Sequence, residues 1–291
     1  MALREFMAQQ LPIFEQKMYE QVEKLTIPKN LKASMLYSLK AGGKRIRPLF
    51  VLAVLDLFKK PLAPGYDVGA ALEMTHTYSL IHDDLPSMDD DDLRRGKPTN
   101  HIVFGEALAV LAGDALNTLS FGVLVNTEVT AEKKVELIQL FHQASGAEGM
   151  VGGQVLDIEG EEKQLTLAEL EEVHVNKTGA LLRFGIEAGA VLADATAEER
   201  AALNEYAYHI GLAFQIKDDI LDVEGTSEEL GKTAGKDEAS DKSTYPALLT
   251  LEGAHEKLQE HYNLAVAALE TVSKEATLLK EIAHYIVHRN K

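Results

Sequence analysis

The 291-residue chain contains no cysteine, which excludes disulfides and thiolate metal sites and fits a reducing compartment. It is also short of basic charge: 29 Lys and Arg stand against 46 Asp and Glu, for a net charge of −17. That sign argues against a nucleic-acid partner, because a nucleic-acid footprint is basic. The N-terminal stretch MALREFMAQQLPIFEQKMYEQ has no uninterrupted apolar run; charged and apolar residues alternate at helical spacing. It matches neither a signal peptide nor a membrane-spanning helix. Together these absences predict a soluble, cytoplasmic protein with no membrane anchor. Alternating strand patterns are scarce as well.

What is present is helical periodicity almost from end to end, with 46% hydrophobic residues, enough to bury a large core. Short punctuation separates the periodic segments: Ile27-Pro28, Gly42-Gly43, Pro61 to Gly65, Gly96-Lys97-Pro98, Gly152-Gly153 and Gly231 to Gly235. Connections that short predict neighbouring helices packed as a bundle. No Ser/Pro-rich linker, low-complexity stretch or repeat period interrupts the pattern, so a helical solenoid is the weaker reading. The expectation is all-α, one domain over residues 1–291.

Two acidic segments stand out, Asp83-Asp84 running on to Asp89, Asp90, Asp91 and Asp92, and Asp218-Asp219 with Asp222. Both follow strongly apolar helical runs, where uncompensated carboxylates are costly if buried. On the second helix Gly211, Gln215, Asp218 and Asp222 fall within roughly 60° of one another, opposite a core face of Leu203, Tyr206, Ile210, Phe214 and Leu221. Carboxylates stacked at i and i+4 repel unless a cation lies between them. On the first helix His76, Leu80 and Asp83 share a face, and Pro86 disfavours helix at Leu85. A turn there would let Asp89 swing back towards Asp83. Oxygen-only clusters suit hard cations, and Mg²⁺ in particular is held by a few carboxylates plus substrate phosphates. Solvated acidic helix ends are the competing reading, and two such clusters, each directly after an apolar helix, weigh against it. The pattern of a calcium-binding loop is absent.

Basic residues answer the acidic ones. Gly42-Gly43-Lys44-Arg45-Ile46-Arg47-Pro48 precedes an apolar helix, and Pro48 suits a first helical turn, which puts Lys44 and Arg47 near a helix N-terminus, a favourable place for an anion. Arg94-Arg95 follows the first acidic run, and Arg forks match phosphate oxygens. Lys177-Thr178-Gly179 and Gly231-Lys232 interrupt helices elsewhere.

In this order the pieces resemble the trans-type isoprenyl diphosphate synthases over nearly the whole chain: Gly43 to Pro48, His76, Asp83 to Asp89 with Arg94-Arg95-Gly96, Gly153-Gln154 to Asp157, Lys177-Thr178, Gln215, Asp218 to Asp222, and Gly231-Lys232. The resemblance implies an all-helical fold with a deep central cavity and a homodimer. It implies three Mg²⁺ ions held by Asp83, Asp89 and Asp218, with Asp84, Asp219 and Asp222 in support. Lys44, Arg47, His76 and Arg95 would hold isopentenyl diphosphate; Arg94, Lys177, Thr178, Gln215 and Lys232 would surround an allylic diphosphate. Gly153, Gln154 and Asp157 are read as structural.

The first acidic motif has four residues between its Asp pair and its last Asp, as in bacterial farnesyl and plant-type geranylgeranyl diphosphate synthases. Five positions before Asp83 stands Tyr78, followed by Ser79. An aromatic there resembles the bacterial farnesyl pattern, in which bulk beside the growing tail stops elongation at fifteen carbons. The helical wheel places Tyr78 roughly 140° from Asp83, so a purely core role is its competitor. A geranylgeranyl synthase and an inactive regulatory subunit are the alternatives, although the latter tends to lose the Asp motifs retained here. A class I terpene cyclase normally carries Asn and Ser or Thr in its second metal motif, and a squalene-type synthase usually carries a membrane anchor.

Overall fold

A computed structural model describes residues 2–161, 163–225, 242–272 and 274–290. The helices are α1 (Leu3–Glu23), α2 (Lys29–Leu39), α3 (Ile46–Leu57), α4 (Ala63–Asp83), α5 (Asn100–Phe104), α6 (Glu106–Asn126), α7 (Ala131–Ser145), α8 (Met150–Gly160), α9 (Leu167–His174), α10 (Ala180–Ala193), α11 (Ala197–Glu224), α12 (Tyr245–Ala268) and α13 (Thr277–His288). The fold is all-α, as the periodicity implies. Its one departure among the described residues is a hairpin of two two-residue strands, β1 (Leu93–Arg94) and β2 (Lys97–Pro98). Arg95 and Gly96 both have positive φ, at 54° and 71°, which is what a tight two-residue hairpin turn requires.

Helix α3 shows why the bundle closes around one core. Of its twelve residues only Arg47 and Asp56 escape burial, so it needs apolar neighbours on every side, which α4, α10 and α13 supply. Helix α10 approaches α3 so closely that a Cβ at Gly189 would lie 2.7 Å from Val54 Cβ. Helix α11 runs through the centre against α10, α12 and α13, and the buried Tyr206 hydroxyl on it donates to the Leu279 carbonyl of α13 at 2.8 Å. That contact fixes the C-terminal helix against the helix bearing the second acidic segment.

The breaks foreseen at residues 27–28, 42–43, 61–65 and 96–98 fall between elements or at an element start. Gly231 to Gly235 lie outside the described residues. Gly152-Gly153 is a correction, since both residues lie inside α8. The reason is a close approach rather than a turn: a Cβ at Gly153 would sit 2.1 Å from the Lys177 amide nitrogen. Lys177-Thr178-Gly179 does not break a helix either. Residues Val175–Gly179 form one π-turn joining α9 to α10, a local widening that recurs at functional sites.

Arg45 knots the N-terminal half together. It caps the start of α3 in the left-handed region (φ 51°) and is 4% exposed. Its guanidinium donates to Glu73 of α4 at 2.8 Å, Glu15 of α1 at 2.9 Å and the Leu39 carbonyl of α2 at 2.7 Å. Removing one partner of a buried pair strands the other charge. Glu73→Gln is therefore expected to lower unfolding free energy by about 3–5 kcal/mol, read from chemical denaturation. A loss below about 1 kcal/mol, the scale of an exposed pair, would show that Arg45 is held by its other partners alone.

Candidate active site

The first acidic segment is built by a helix that stops. Helix α4 ends at Asp83, three residues before Pro86, and the chain then folds back on itself. The Asp89 amide donates to the Asp83 carbonyl at 2.8 Å, the Asp90 amide to Leu85 at 3.2 Å and the Asp91 amide to Asp84 at 3.2 Å. Asp89 thus returns to Asp83, as the sequence around Pro86 suggests. Burial pushes the Asp83 carboxyl up to about 6; Lys177 opposes that rise and Asp89 adds to it. The neighbouring Asp84 points elsewhere: it is 3% exposed and accepts from Arg94 Nε at 2.7 Å and Nη2 at 2.5 Å. The two residues assigned to different ligands from sequence are partners of each other here.

The hairpin after this segment presents Arg95 at its tip, with the Arg95 guanidinium donating to the Gly42 carbonyl. Gly43, with φ of 130°, leaves room for it: a Cβ there would lie 2.7 Å from Arg95 Cζ. The Gly-Gly loop is accordingly a seat for Arg95. Beyond it, Lys44 is half-buried, and Arg47 turns inward at the start of α3 with its buried Nε lacking a hydrogen-bond partner among the described residues. Burial pushes Arg47 down to about 10, with Arg95 adding to the fall and Glu73 and Asp218 opposing it, so it stays charged at neutral pH. On α4, burial and the cluster of Arg47, Arg95, Arg94 and Arg45 hold His76 well below its ordinary range, which leaves a neutral imidazole.

The second acidic segment lies at the C-terminal end of α11. Its polar stripe is only partly solvated: Gly211 and Asp222 are buried, as is the adjacent Asp219, and Gln215 and Asp218 are half-buried. The three carboxylates do different things. Asp219 accepts the Tyr245 amide of α12 at 2.9 Å and so anchors the next helix. Asp218 has a side chain 43% exposed and pairs with Arg289 at 2.7 Å. Asp222 is 5% exposed on the same helix. Gln215 Nε2 lies 3.4 Å from His174 Nδ1, next to the π-turn that carries Lys177 and Thr178. Lys177 Nζ contacts Asp157 of α8 at 2.5 Å, and Lys242 contacts the same carboxylate at 2.9 and 3.0 Å.

The electrostatic couplings connect these pieces. Lys177 acts on Asp83 across the gap between the π-turn and the end of α4, while Asp218 and Arg95 both act on Arg47. Asp83 is thereby tied to Lys177, and Arg47 to Arg95 and Asp218, whereas Lys232 lies outside the described residues. Ser79 Oγ donates to the His76 carbonyl of its own helix at 2.9 Å, and Tyr78 is 8% exposed with its ring edge-on to His82 at 5.6 Å. Sequence reading missed Lys242 and Arg289, which have neither a glycine nor an Asp motif beside them. Among the described residues no three carboxylates or imidazoles converge closely enough to cage a metal unaided. Asp83 and Asp89, brought together by the reversal after α4, are oxygen donors of the kind that hold a hard cation taking further oxygens from a substrate, whereas a guanidinium already sits on Asp218.

The polyprenyl synthetase family profile matches residues 28–282. The chain is 54% identical to a farnesyl diphosphate synthase of Bacillus subtilis, covering 99% of this chain and 98% of the relative, and 48% identical to one from Geobacillus stearothermophilus over 100% and 99%. The solved structure of a geranyltransferase from Helicobacter pylori, complexed with magnesium and isoprenyl diphosphate, superposes with a TM-score of 0.82 at 34% identity, covering 93% of each chain. By the profile match and by relatives about half identical over its whole length, this chain belongs to the polyprenyl synthetase family.

Proposed function

We propose that the chain is a prenyltransferase that joins isopentenyl diphosphate head-to-tail to dimethylallyl and then geranyl diphosphate, giving farnesyl diphosphate. The carrying observation is the relation to farnesyl diphosphate synthases over the whole length of a chain whose first acidic segment folds back so that Asp89 returns to Asp83. We read residues 1–291 as one catalytic domain with a deep central cavity, and three magnesium ions as its metal complement. Asp83, Asp89 and Asp218 would hold the metal, with Asp84, Asp219 and Asp222 behind them. Bound magnesium supplies Lewis-acid neutralisation of the diphosphate.

The chain's own residues supply the rest. Arg94, Lys177, Thr178, Gln215 and Lys232 meet the allylic diphosphate, so that charge developing on the leaving oxygen is stabilised by donors already in place. Lys44, Arg47 and Arg95 hold isopentenyl diphosphate, and neutral His76 offers one N–H to it. The allylic C–O bond breaks, the double bond of isopentenyl diphosphate attacks the resulting cation, and its C2 proton leaves to the departing diphosphate. No side-chain base is needed. Homodimerisation is supported by α6, which is long and apolar enough to cross a membrane yet packs one face on α4 and leaves Val110, Leu111 and Val125 exposed on the other. Pairing with a second copy would cover that face.

Incubation with radiolabelled isopentenyl diphosphate, geranyl diphosphate and Mg²⁺ tests the reading directly: a labelled fifteen-carbon product is expected, and no incorporation would refute it. Asp83→Ala and Asp218→Ala should each lower kcat by about a thousandfold or more, with the fold retained by circular dichroism. Near-normal turnover in both folded variants would contradict the metal assignment.

Tyr78 addresses product length. Five residues of helix put it about 7.5 Å below Asp83 along α4. With the diphosphate held at the level of Asp83, the tail passes this depth. Tyr78→Ala should therefore extend the product to twenty carbons or more, read by chromatography after dephosphorylation. A fifteen-carbon product with stability reduced by about 3 kcal/mol would identify Tyr78 as a core residue only.

A further inference from the structure

Helix α8 meets the π-turn at two points one helical turn apart. At Gly153 the backbones are in contact, since a Cβ would lie 2.1 Å from the Lys177 nitrogen and 2.6 Å from its Cα. Four residues on, Asp157 is 8% exposed and receives Lys177 Nζ at 2.5 Å. The same carboxylate receives Lys242 on both oxygens, at 2.9 and 3.0 Å. Lys242 lies just ahead of α12, whose first amide is anchored on Asp219. One buried carboxylate therefore gathers two ammonium groups from separate parts of the chain. Although burial alone would raise it, Lys177 and Lys242 hold the Asp157 carboxyl below the ordinary carboxylate range, so it stays ionised at neutral pH.

We infer that Asp157 is a positioning residue for the allylic diphosphate, holding Lys177 and Lys242 together as a pre-aimed pair, with Gly153 letting the π-turn press onto α8. The new element is the carboxylate: Asp157, which reads from sequence as structural, acts on substrate binding through the two lysines that it holds. A lone ammonium on a flexible stem loses rotamer freedom when it binds phosphate; one already fixed by a buried partner has lost that freedom beforehand. Without the carboxylate, two like charges a few ångströms apart drive each other away from the binding geometry. The inference rests on the reading of Lys177 as a diphosphate ligand.

The test uses two readouts on the full-length protein. In steady-state kinetics Asp157→Asn should raise KM for geranyl diphosphate about tenfold and leave KM for isopentenyl diphosphate within about twofold. In calorimetry with Mg²⁺, inorganic pyrophosphate should bind about tenfold more weakly to Asp157→Asn than to wild type. The same substitution added to Lys177→Ala/Lys242→Ala should change pyrophosphate affinity by less than about twofold, because the groups it positions are gone. Unchanged or tighter pyrophosphate binding by Asp157→Asn would overturn the inference, showing that the carboxylate competes for the lysines. A lowered melting temperature with both KM values unmoved would overturn it too and leave Asp157 structural. The pyrophosphate titration needs no chain elongation, so a wild-type protein that fails to incorporate isopentenyl diphosphate would refute the proposed reaction without deciding the role of Asp157.

Discussion

The site depends on a charge-balance constraint: it buries more carboxylates than a protein interior can leave uncompensated. An ionised carboxylate taken out of water without a partner is costly by several kcal/mol. Asp84 is answered by Arg94, Asp157 by Lys177 and Lys242, Asp218 by Arg289, and Asp219 by the backbone amide of Tyr245. Asp83 lies in the field of Lys177 while burial drives it towards its neutral form. These pairings tie the end of α4 to its hairpin, α8 to the π-turn and to the start of α12, and α11 to α12 and to the residue after α13. Without them the two acidic helix ends would repel rather than share a site.

The same pairings shape how the site receives a ligand. On the proposed assignment, Arg94 and Lys177, which compensate carboxylates at rest, are also groups that a diphosphate would engage, so binding would exchange partners instead of desolvating bare charges. Arg289 on Asp218 is the plainest case, because a guanidinium occupies a carboxylate that a metal would claim. The backbone makes room for these exchanges at few positions: the Gly43 seat for Arg95, the reversal after Asp83, and the π-turn at Val175–Gly179 against Gly153. Core packing around α3 and the Arg45 knot keep those positions rigid.

Helical periodicity made the all-α fold legible, and Pro86 made the reversal of Asp89 towards Asp83 legible, because both are local properties of the chain. That the two acidic segments share one site is read from motif resemblance, because no local property of the chain brings them together. Gly152-Gly153 misled as punctuation, since a glycine required for helix–helix contact looks in sequence like one required for a turn. The pairing of Asp84 with Arg94 was not legible, because a ten-residue separation says nothing about which side of a hairpin an arginine faces. Lys242 and Arg289 were invisible for a related reason: their partners Asp157 and Asp218 are remote in sequence, and only the packing of α8 and α13 brings them together.

If internal cations balance the carboxylates at rest, magnesium should bind well only when a diphosphate arrives to take over the displaced bases. Calorimetric titration of Mg²⁺ into the wild-type protein, with and without saturating inorganic pyrophosphate, tests this most directly. The expected result is weak magnesium binding to the protein alone, strengthened by about a hundredfold or more with pyrophosphate present. Equally tight binding of magnesium in both titrations would contradict it, since the carboxylates would then form a metal site without needing the diphosphate or the release of their basic partners.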